Sequence, residues 1–534
     1  MSGVGKGIAA SSIGRVLQSH GFEVTAVKID PYVNVDAGTM NPTEHGEVFV
    51  LDDGTECDQD MGNYERFLDR DLSMANYMTT GSIYQTVIAR ERSMGYGGKF
   101  VSVVPYIPLE VISRIKKAAA TNKADIVIVE IGGTVGEYEN ILFLEAVRMM
   151  RLKNPGDVFL ALVSFIPVLG AGGTELKTKP TQHAVRSMNA AGLHPDIILC
   201  RAPVPLDKKR KEKLEFFCSL GKGGAVSAPD VGSVYEVPIN FERDKLGERI
   251  LKKLSLTSRR RDLGMWRRLV ARIRRSAREV RIGVVGKYFS SGSFILTDSY
   301  ISVLEAIKHA AFSLGAKPSI SWIDSEEFES SSQSLRTLSE YDGIIVPGGF
   351  GSRGVEGKIA AIRYCREKKV PFLGLCYCMQ LMVVEFARDV AGLKEAHTAE
   401  VNPKTPHPVI DIMPDQKKII SDSSYGGTMR LGAYPAAIKK GTVAARLYGA
   451  RTISERHRHR YEVNLRYIER IERKGLVFSG VSPDRRLMEI AELPADKHPF
   501  FVGTQFHPEF KSRPLRPHPL FIGFVRAALA RRKK

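Results

Sequence analysis

No apolar run in this chain approaches the ~18 residues that a membrane-spanning helix requires. The N-terminus also lacks the hydrophobic core of a signal peptide, so a cytoplasmic protein with no membrane partner is expected. Cysteine is scarce, six in 534 residues, and unevenly spaced, which excludes a disulfide framework. Acidic residues are outnumbered, 59 Asp and Glu against 78 Lys and Arg, leaving a net charge of +19. Such an excess suits nucleic acid, a membrane surface or anionic small molecules. Much of it is concentrated in Ser255–Arg281 and in the terminal Arg531–Lys534. The run from Trp266 to Arg275 reads as an amphipathic helix with a solvated basic face. No recognised nucleic-acid module accompanies it, so nucleic acid is not an expected partner.

A chain of this length should hold at least two domains, and the Arg-rich stretch divides it. Before it, β-rich runs at Glu23–Ile29, Ala124–Ile131, Val158–Phe165 and Asp196–Cys200 alternate with helical patterns. After it the alternation restarts at Val280–Val285, Ile320–Ile323, Gly343–Val346 and Pro371–Leu375. Strands alternating with helices predict two α/β domains, each with a mainly parallel sheet flanked by helices. The expected boundaries are 1–254, a linker at 255–280, and 281–534.

Two motifs carry chemistry. A strand-like run ends at Cys376 and gives way to Tyr377, Cys378, Met379, Gln380 and a helical pattern; far along the chain stands Gln505-Phe-His507-Pro-Glu509. A sharp strand-to-helix turn exposes a thiol at a helix N-terminus, which lowers its pKa. A histidine oriented by a carboxylate activates the sulfur, and the next backbone N–H can stabilise an oxyanion. One residue jars, because Cys378 stands where such elbows have glycine for close packing; cysteine is small, so the substitution is expected to be tolerated, although its side chain could crowd the substrate. At the other end, Ser2-Gly3-Val4-Gly5-Lys6-Gly7 opens a helix through Ile8–Gln18. Glycines let backbone wrap phosphates while a lysine supplies counter-charge. Lys28 ends a strand, where α/β domains bind ligands. Glu56, Asp58 and Asp60 offer hard oxygen ligands for Mg²⁺, and Glu130 ends a hydrophobic strand. His457 and His459 would suggest metal were it not for the neighbouring arginines, which repel a cation.

Longer segments then resemble a family. Lys28-Ile-Asp-Pro-Tyr-Val-Asn-Val-Asp36, His45-Gly-Glu-Val-Phe-Val50, Gly62-Asn-Tyr-Glu-Arg-Phe67 and Val129-Glu-Ile-Gly-Gly-Thr-Val-Gly136 stand in the first half. Lys177-Thr-Lys-Pro-Thr-Gln-His183, Val346-Pro-Gly-Gly-Phe-Gly351, Gly426-Gly-Thr-Met-Arg-Leu-Gly432 and Glu455–Val463 follow in order. Over essentially the whole chain these resemble the CTP synthases, glutamine-dependent ligases of pyrimidine biosynthesis that aminate UTP at the expense of ATP. The resemblance implies a P-loop, dethiobiotin-synthetase-like amidoligase domain followed by a class I glutaminase domain. Ser2, Gly3, Val4, Gly5, Lys6, Gly7 and Ile8, with Lys28, match the loop holding ATP and UTP or CTP phosphates. Asp60 and Glu130 match the Mg²⁺ ligands. Lys177, Thr178, Lys179, Pro180, Thr181, Gln182 and Lys213 match the pyrimidine-nucleotide site, and Glu137, Tyr138 and Glu139 the stretch that distinguishes inhibitory CTP. Asp230 and Val231 fall where adenine is held. Gly349, Tyr377, Cys378, Met379, Gln380, Glu400 and Arg460 match the L-glutamine positions, and Cys376, His507 and Glu509 the triad.

The same resemblance implies GTP as an activator, near Arg353, and a homotetramer. This sequence departs from the family in three places. The family pattern includes a strand and two glycines ahead of Met1, with upstream codons expected to supply them here; Cys378 replaces a glycine; and Thr297–Tyr300 follows a longer loop at Phe289–Leu296. The alternative is a catalytically impaired relative that serves as a scaffold or filament.

Overall fold

The β-branched runs are spaced by helical periods, the pattern that lays strands side by side in parallel with helices covering both faces. The computed structural model bears this out over residues 3–169, 175–287, 290–291, 294–295, 297–330, 333–349, 351–413, 416 and 426–532, which are the residues the structure describes. Ser2 and much of the Phe289–Leu296 loop lie outside them. The chain forms two compact units, Met1–Asp36 with Asn63–Val270, and Ala37–Gly62 with Ala271–Lys534.

The first unit opens with helix α1 (Lys6–Ser19). Its strands are β1 (Val24–Asp30), β2 (Tyr77–Thr79), β3 (Ile126–Ile131), β4 (Ala161–Phe165), β5 (Ile197–Ala202) and β6 (Ala225–Pro229). They make two parallel three-stranded sheets, in the orders β2-β1-β3 and β6-β5-β4. Among the described residues β3 pairs only with β1, and β4 only with β5. Between these two edges lies a cavity of about 800 Å³ lined by Ile126–Ile131 and Leu160–Phe165. Val127, Ile128 and Val129 are only half-buried there.

The helix of the Arg-rich stretch, α2 (Gly264–Arg275), is amphipathic as expected, but it is not a free linker. Trp266 is fully buried against Phe67 and Tyr235 and donates its indole N–H to the Tyr235 carbonyl, 2.7 Å away. Arg267, Arg268 and Arg272 face solvent. Burial of this one apolar stripe ties the start of the helix to the first unit, whose second segment runs to Val270. Residues 37–62 join the second unit for an electrostatic reason. Arg456 is paired with Asp52 and the Val50 carbonyl, while Arg458 meets Glu56 at 2.7 Å and the Gly38 carbonyl at 3.2 Å.

The second unit carries β7 (Arg278–Gly286), β8 (Ala316–Asp324), β9 (Gly343–Val346), β10 (Phe372–Leu375), β11 (Arg430–Ile438), β12 (Thr452–His459), β13 (Val477–Val481), β14 (Met488–Glu492) and β15 (Phe501–Thr504). They form one nine-stranded sheet, ordered β8-β7-β9-β10-β15-β14-β13-β11-β12. The five strands from β8 to β15 are parallel and the rest antiparallel. Helices α3 (Val355–Lys368) and α4 (Tyr377–Asp389) cover one face. Every residue of α4 from Tyr377 to Ala387 is buried. At ~1.5–3 kcal/mol for each large apolar side chain taken from water, this anchors the turn before it firmly.

Candidate functional site

Cys376 lies between β10 and α4 with φ 50° and ψ −106°, a backbone region that non-glycine residues hold only when their surroundings enforce it. Two things enforce it here: the buried helix that follows, and the Cys376 N–H, which donates to the Thr504 carbonyl on β15. Five residues of chain beyond that carbonyl bring in His507 and Glu509. His507 Nδ1 lies 2.7 Å from Glu509 Oε1, and its ring stacks on Phe510 with centroids 5.0 Å apart. With Nδ1 taken by the carboxylate, Nε2 is the nitrogen left to meet the Cys376 sulfur. Burial disfavours the imidazolium, yet Glu509 and Cys376 together raise the His507 pKa to about 10. His507 therefore keeps its proton at neutral pH, beside the Cys376 sulfur. Gly348 makes room for it, since a Cβ there would stand 3.1 Å from His507 Cε1 and 3.5 Å from Cys376 Cβ.

The other residues expected at this end gather around the elbow. Tyr377 donates its hydroxyl to the Gly351 carbonyl at 3.1 Å, and Glu400 accepts the Gly351 N–H at 3.0 Å. Burial pushes the Glu400 carboxyl up. Gly349 is half-buried just before this loop, and Met379 is fully buried. Gln380 donates to the Tyr461 carbonyl at 2.9 Å, while its Oε1 is buried without a hydrogen-bond partner among the described residues. Arg460 donates to Gln416 and to Thr428. Arg353 is paired with Glu326 and largely exposed.

Cys378, which stands in place of the elbow glycine, is packed into the core. Its side chain is fully buried in the apolar core, and its sulfur lies 3.1 Å from where a Cβ on Gly374 would be. A strand glycine one turn earlier supplies the space that the missing elbow glycine would have given. Burial pushes the Cys378 thiol up, so it stays protonated.

In the first unit Gly5 has φ 88° at the start of α1, a conformation that favours glycine. Lys6 donates to the Gly133 carbonyl at 3.2 Å. Gly3 is exposed, while Val4 and Gly7 are buried. A cavity of about 210 Å³ joins Gly5, Ile8, Asp230 and Val231 with Arg201, Asn240 and Phe241. Arg201 braces it by donating to the Val4 and Ala228 carbonyls and to Asp230. Lys28 is buried between Asp30 (3.5 Å) and Glu130 (3.4 Å), and Tyr64 donates to Glu130. Thr181 shares a hydrogen bond with Ser164, and Gln182 donates to Thr178. Lys177 pairs with Glu175, Lys179 lies 5.8 Å from the Phe217 ring centroid, and Pro180 borders the larger cavity. Lys213, Glu137, Tyr138 and Glu139 are exposed. Hydrogen bonds from Thr134 draw the Glu137 carboxyl below its usual range.

Asp30 and Glu130 make an oxygen-only donor set beside a lysine, which fits Mg²⁺ sharing its coordination with phosphates. Asp60, the other expected ligand, opens the helix Asp60–Leu68 and takes Asp58 Oδ1 on its N–H; it falls in the second unit, Glu130 in the first. Among the described residues no three His, Cys, Asp or Glu side chains cluster as a metal site. Glu56 is buried against Arg458 rather than left open to an ion. His457 is held by Glu489 at 2.6 Å, and His459 Nδ1 by the Tyr461 carbonyl at 2.9 Å.

Sequence reasoning missed Gln505, whose side-chain nitrogen lies 3.7 Å from Cys376 Sγ, and the Arg458 carbonyl, also 3.7 Å from that sulfur. Gln505 stands two residues before His507, a spacing that puts both on one side of an extended chain and could have pointed to it.

The family model described as the CTP synthase N-terminus matches residues 1–256, and that for the class-I glutamine amidotransferases matches 295–527. The chain is 51% identical to a CTP synthase of Pyrococcus furiosus over 99% of its own length and 96% of that protein. It is 50% identical to one from Methanocaldococcus jannaschii, over 100% of its length and 98% of that protein. Among solved structures, the glutaminase domain of a Trypanosoma brucei CTPS with bound acivicin is 38% identical, over 47% of this chain and 93% of that one, with a TM-score of 0.43.

Proposed function

The chain belongs to the CTP synthase family, and we propose that it aminates UTP to CTP through the residues described above, with ATP as co-substrate and L-glutamine as the ammonia source. The observation that carries the glutaminase half is Cys376, held at φ 50° beside the His507–Glu509 pair. The Cys376 thiolate attacks the glutamine carboxamide carbon, and the C–N bond breaks as His507 gives its proton to departing ammonia. Water then hydrolyses the thioester to glutamate. The backbone N–H groups of Gly349 and Tyr377 face the developing oxyanion. Gln380 Oε1 accepts from the substrate, Arg460 suits its α-carboxylate, and Glu400 and Met379 complete the pocket.

In the other half, the γ-phosphoryl group of ATP passes to O4 of UTP, and ammonia displaces phosphate at C4. Lys6 and Lys28 offset the charge on the transferred group. Gly5, Ile8, Asp230 and Val231 hold ATP, and Lys177–Gln182 with Lys213 hold the pyrimidine nucleotide. Glu130 would hold Mg²⁺, which when bound would neutralise phosphate charge, and Asp60 is the further ligand that the family resemblance implies. GTP as activator near Arg353, CTP as feedback inhibitor near Glu137–Glu139, a homotetramer and a cytoplasmic location complete the reading. No helix among the described residues is long and apolar enough to cross a membrane. No observation favours the scaffold alternative.

Purified protein given UTP, ATP, Mg²⁺ and glutamine should produce CTP, ADP and phosphate; no CTP, even with ammonium supplied, would sink the reading. Cys376→Ala should abolish glutamine-dependent synthesis and keep ammonia-dependent synthesis. Cys378→Ala should keep both.

A further inference from the structure

Two neutral groups flank the Cys376 sulfur, and they favour opposite protonation states. On one side the Arg458 carbonyl, 3.7 Å away, can only accept, so it suits a thiol. On the other is the side-chain amide of Gln505, fully buried and also 3.7 Å away. An amide can present oxygen or nitrogen, and which one faces the sulfur decides its effect. A chain of contacts settles the orientation. The Tyr461 carbonyl accepts and cannot donate, so the Gln380 atom 2.9 Å from it is the nitrogen. That same nitrogen lies 3.1 Å from the Gln505 side chain, which must therefore turn its oxygen to Gln380. The Gln505 nitrogen is left to face Cys376, and its backbone N–H, bound to the Glu489 carbonyl at 2.9 Å, holds the residue in place.

We propose that Gln505 is a further catalytic residue of the glutaminase: its side-chain N–H donates to Cys376 Sγ and favours the thiolate over the thiol. This rests on the reading of Cys376 as the nucleophile. A hydrogen bond to a charged acceptor contributes more than one to a neutral acceptor. The donor thus acts on the ionised sulfur, while the Arg458 carbonyl contributes only to the protonated one. The titratable groups around the sulfur are His507 with Glu509 behind it, the Cys378 thiol on α4, and on β12 the Arg458 guanidinium, which is turned to Glu56. Gln505→Met alters the charge of none of them except through the sulfur.

The test is the pH dependence of Cys376 alkylation by iodoacetamide, read by mass spectrometry on the full-length enzyme, with glutamine kinetics beside it. Gln505→Met keeps the volume and removes the donor; Gln505→Glu keeps the shape and replaces the donor by an acceptor. The alkylation midpoint should rise by about one pH unit in the first and further in the second. The kcat for glutamine hydrolysis should fall roughly tenfold to a hundredfold, with KM changed by less than about threefold. Midpoints equal to wild type in both variants would overturn the proposal, and so would a rise in KM with kcat unchanged, the mark of a purely structural prop. If Cys376→Ala still hydrolysed glutamine, the assignment of the nucleophile would fall and this inference with it. An inactive Cys376→Ala beside Gln505 variants that titrate normally would overturn this inference alone.

Discussion

Replacing Glu489 by glutamine should destabilise the second unit at neutral pH and have less effect in acid. Glu489 on β14 is fully buried, and its carboxylate accepts from Arg430 Nη2 at 2.7 Å and from His457 Nε2 at 2.6 Å. Burial alone would raise its pKa, but His457 and Arg430 outweigh that and lower it from 4.5 to about 2. A difference of that size between folded and unfolded chains corresponds to about 3 kcal/mol. Because the folded value is the lower one, this stabilisation is fully present above pH ~4.5 and is lost as pH falls toward ~2. Glutamine cannot ionise and leaves the buried Arg430 cation without a counter-charge, a defect that typically costs about 3–5 kcal/mol. The thermal transition of the unit should drop by roughly 6–12 °C at pH 7. Calorimetry on wild type and Glu489→Gln at pH 7 and pH 3 measures this directly. At pH 3 the gap in stability should be under half that at pH 7. A variant as stable as wild type at pH 7, or a gap that does not change with pH, would refute the assignment of a charged, paired Glu489.

Gly348→Ala should cut glutamine-dependent turnover at least about tenfold while leaving the melting temperature nearly unchanged. The new methyl would press on His507 Cε1 at 3.1 Å, and glycine there is needed for space, not for a left-handed backbone; full activity in steady-state kinetics would disprove this. Lys358→Met should stabilise the protein. Lys358 is fully buried with no hydrogen-bond partner among the described residues, and burial lowers its pKa from 10.5 to about 8. The folded state is therefore penalised below pH ~8, by up to about 3 kcal/mol, and the penalty fades as pH rises to 10.5. Urea denaturation at pH 7 and pH 10 checks it, and a variant less stable than wild type at pH 7 would contradict it.

Much of the fold was legible because it rests on local pattern. All eight strands expected from β-branched runs are present, with ends shifted by a few residues. The short strand Tyr77–Thr79, the antiparallel strands β11 to β14 and β15, which closes the parallel half of the sheet, were not read. Their pairing depends on partners distant in sequence, and residues such as Arg430–Ile438 alternate in burial without a long apolar run. The Arg-rich stretch shows the same limit. Its charge read as a linker, whereas Trp266 and Leu269, two apolar residues among many arginines, decide where it packs. At the site, Cys376, His507 and Glu509 were legible because a nucleophile elbow and a His-Pro-Glu element each have a recognisable local form. Gln505 was not, because its role depends on which way its amide faces, and that is set by Tyr461 through Gln380.

By itself the sequence determined the chemistry available: a thiol at a strand-to-helix turn, a histidine beside a carboxylate, a lysine in a glycine-rich loop, and the family these belong to. Only the tertiary structure decided which polar atoms face the sulfur, where the Cys378 side chain goes, and that residues 37–62 pack with the second unit. The physical reason is that motif spacing records local backbone geometry, which neighbours along the chain impose. The orientation of an amide, the filling of a core and the pairing of Arg456 and Arg458 with Asp52 and Glu56 depend on atoms that only folding brings within reach.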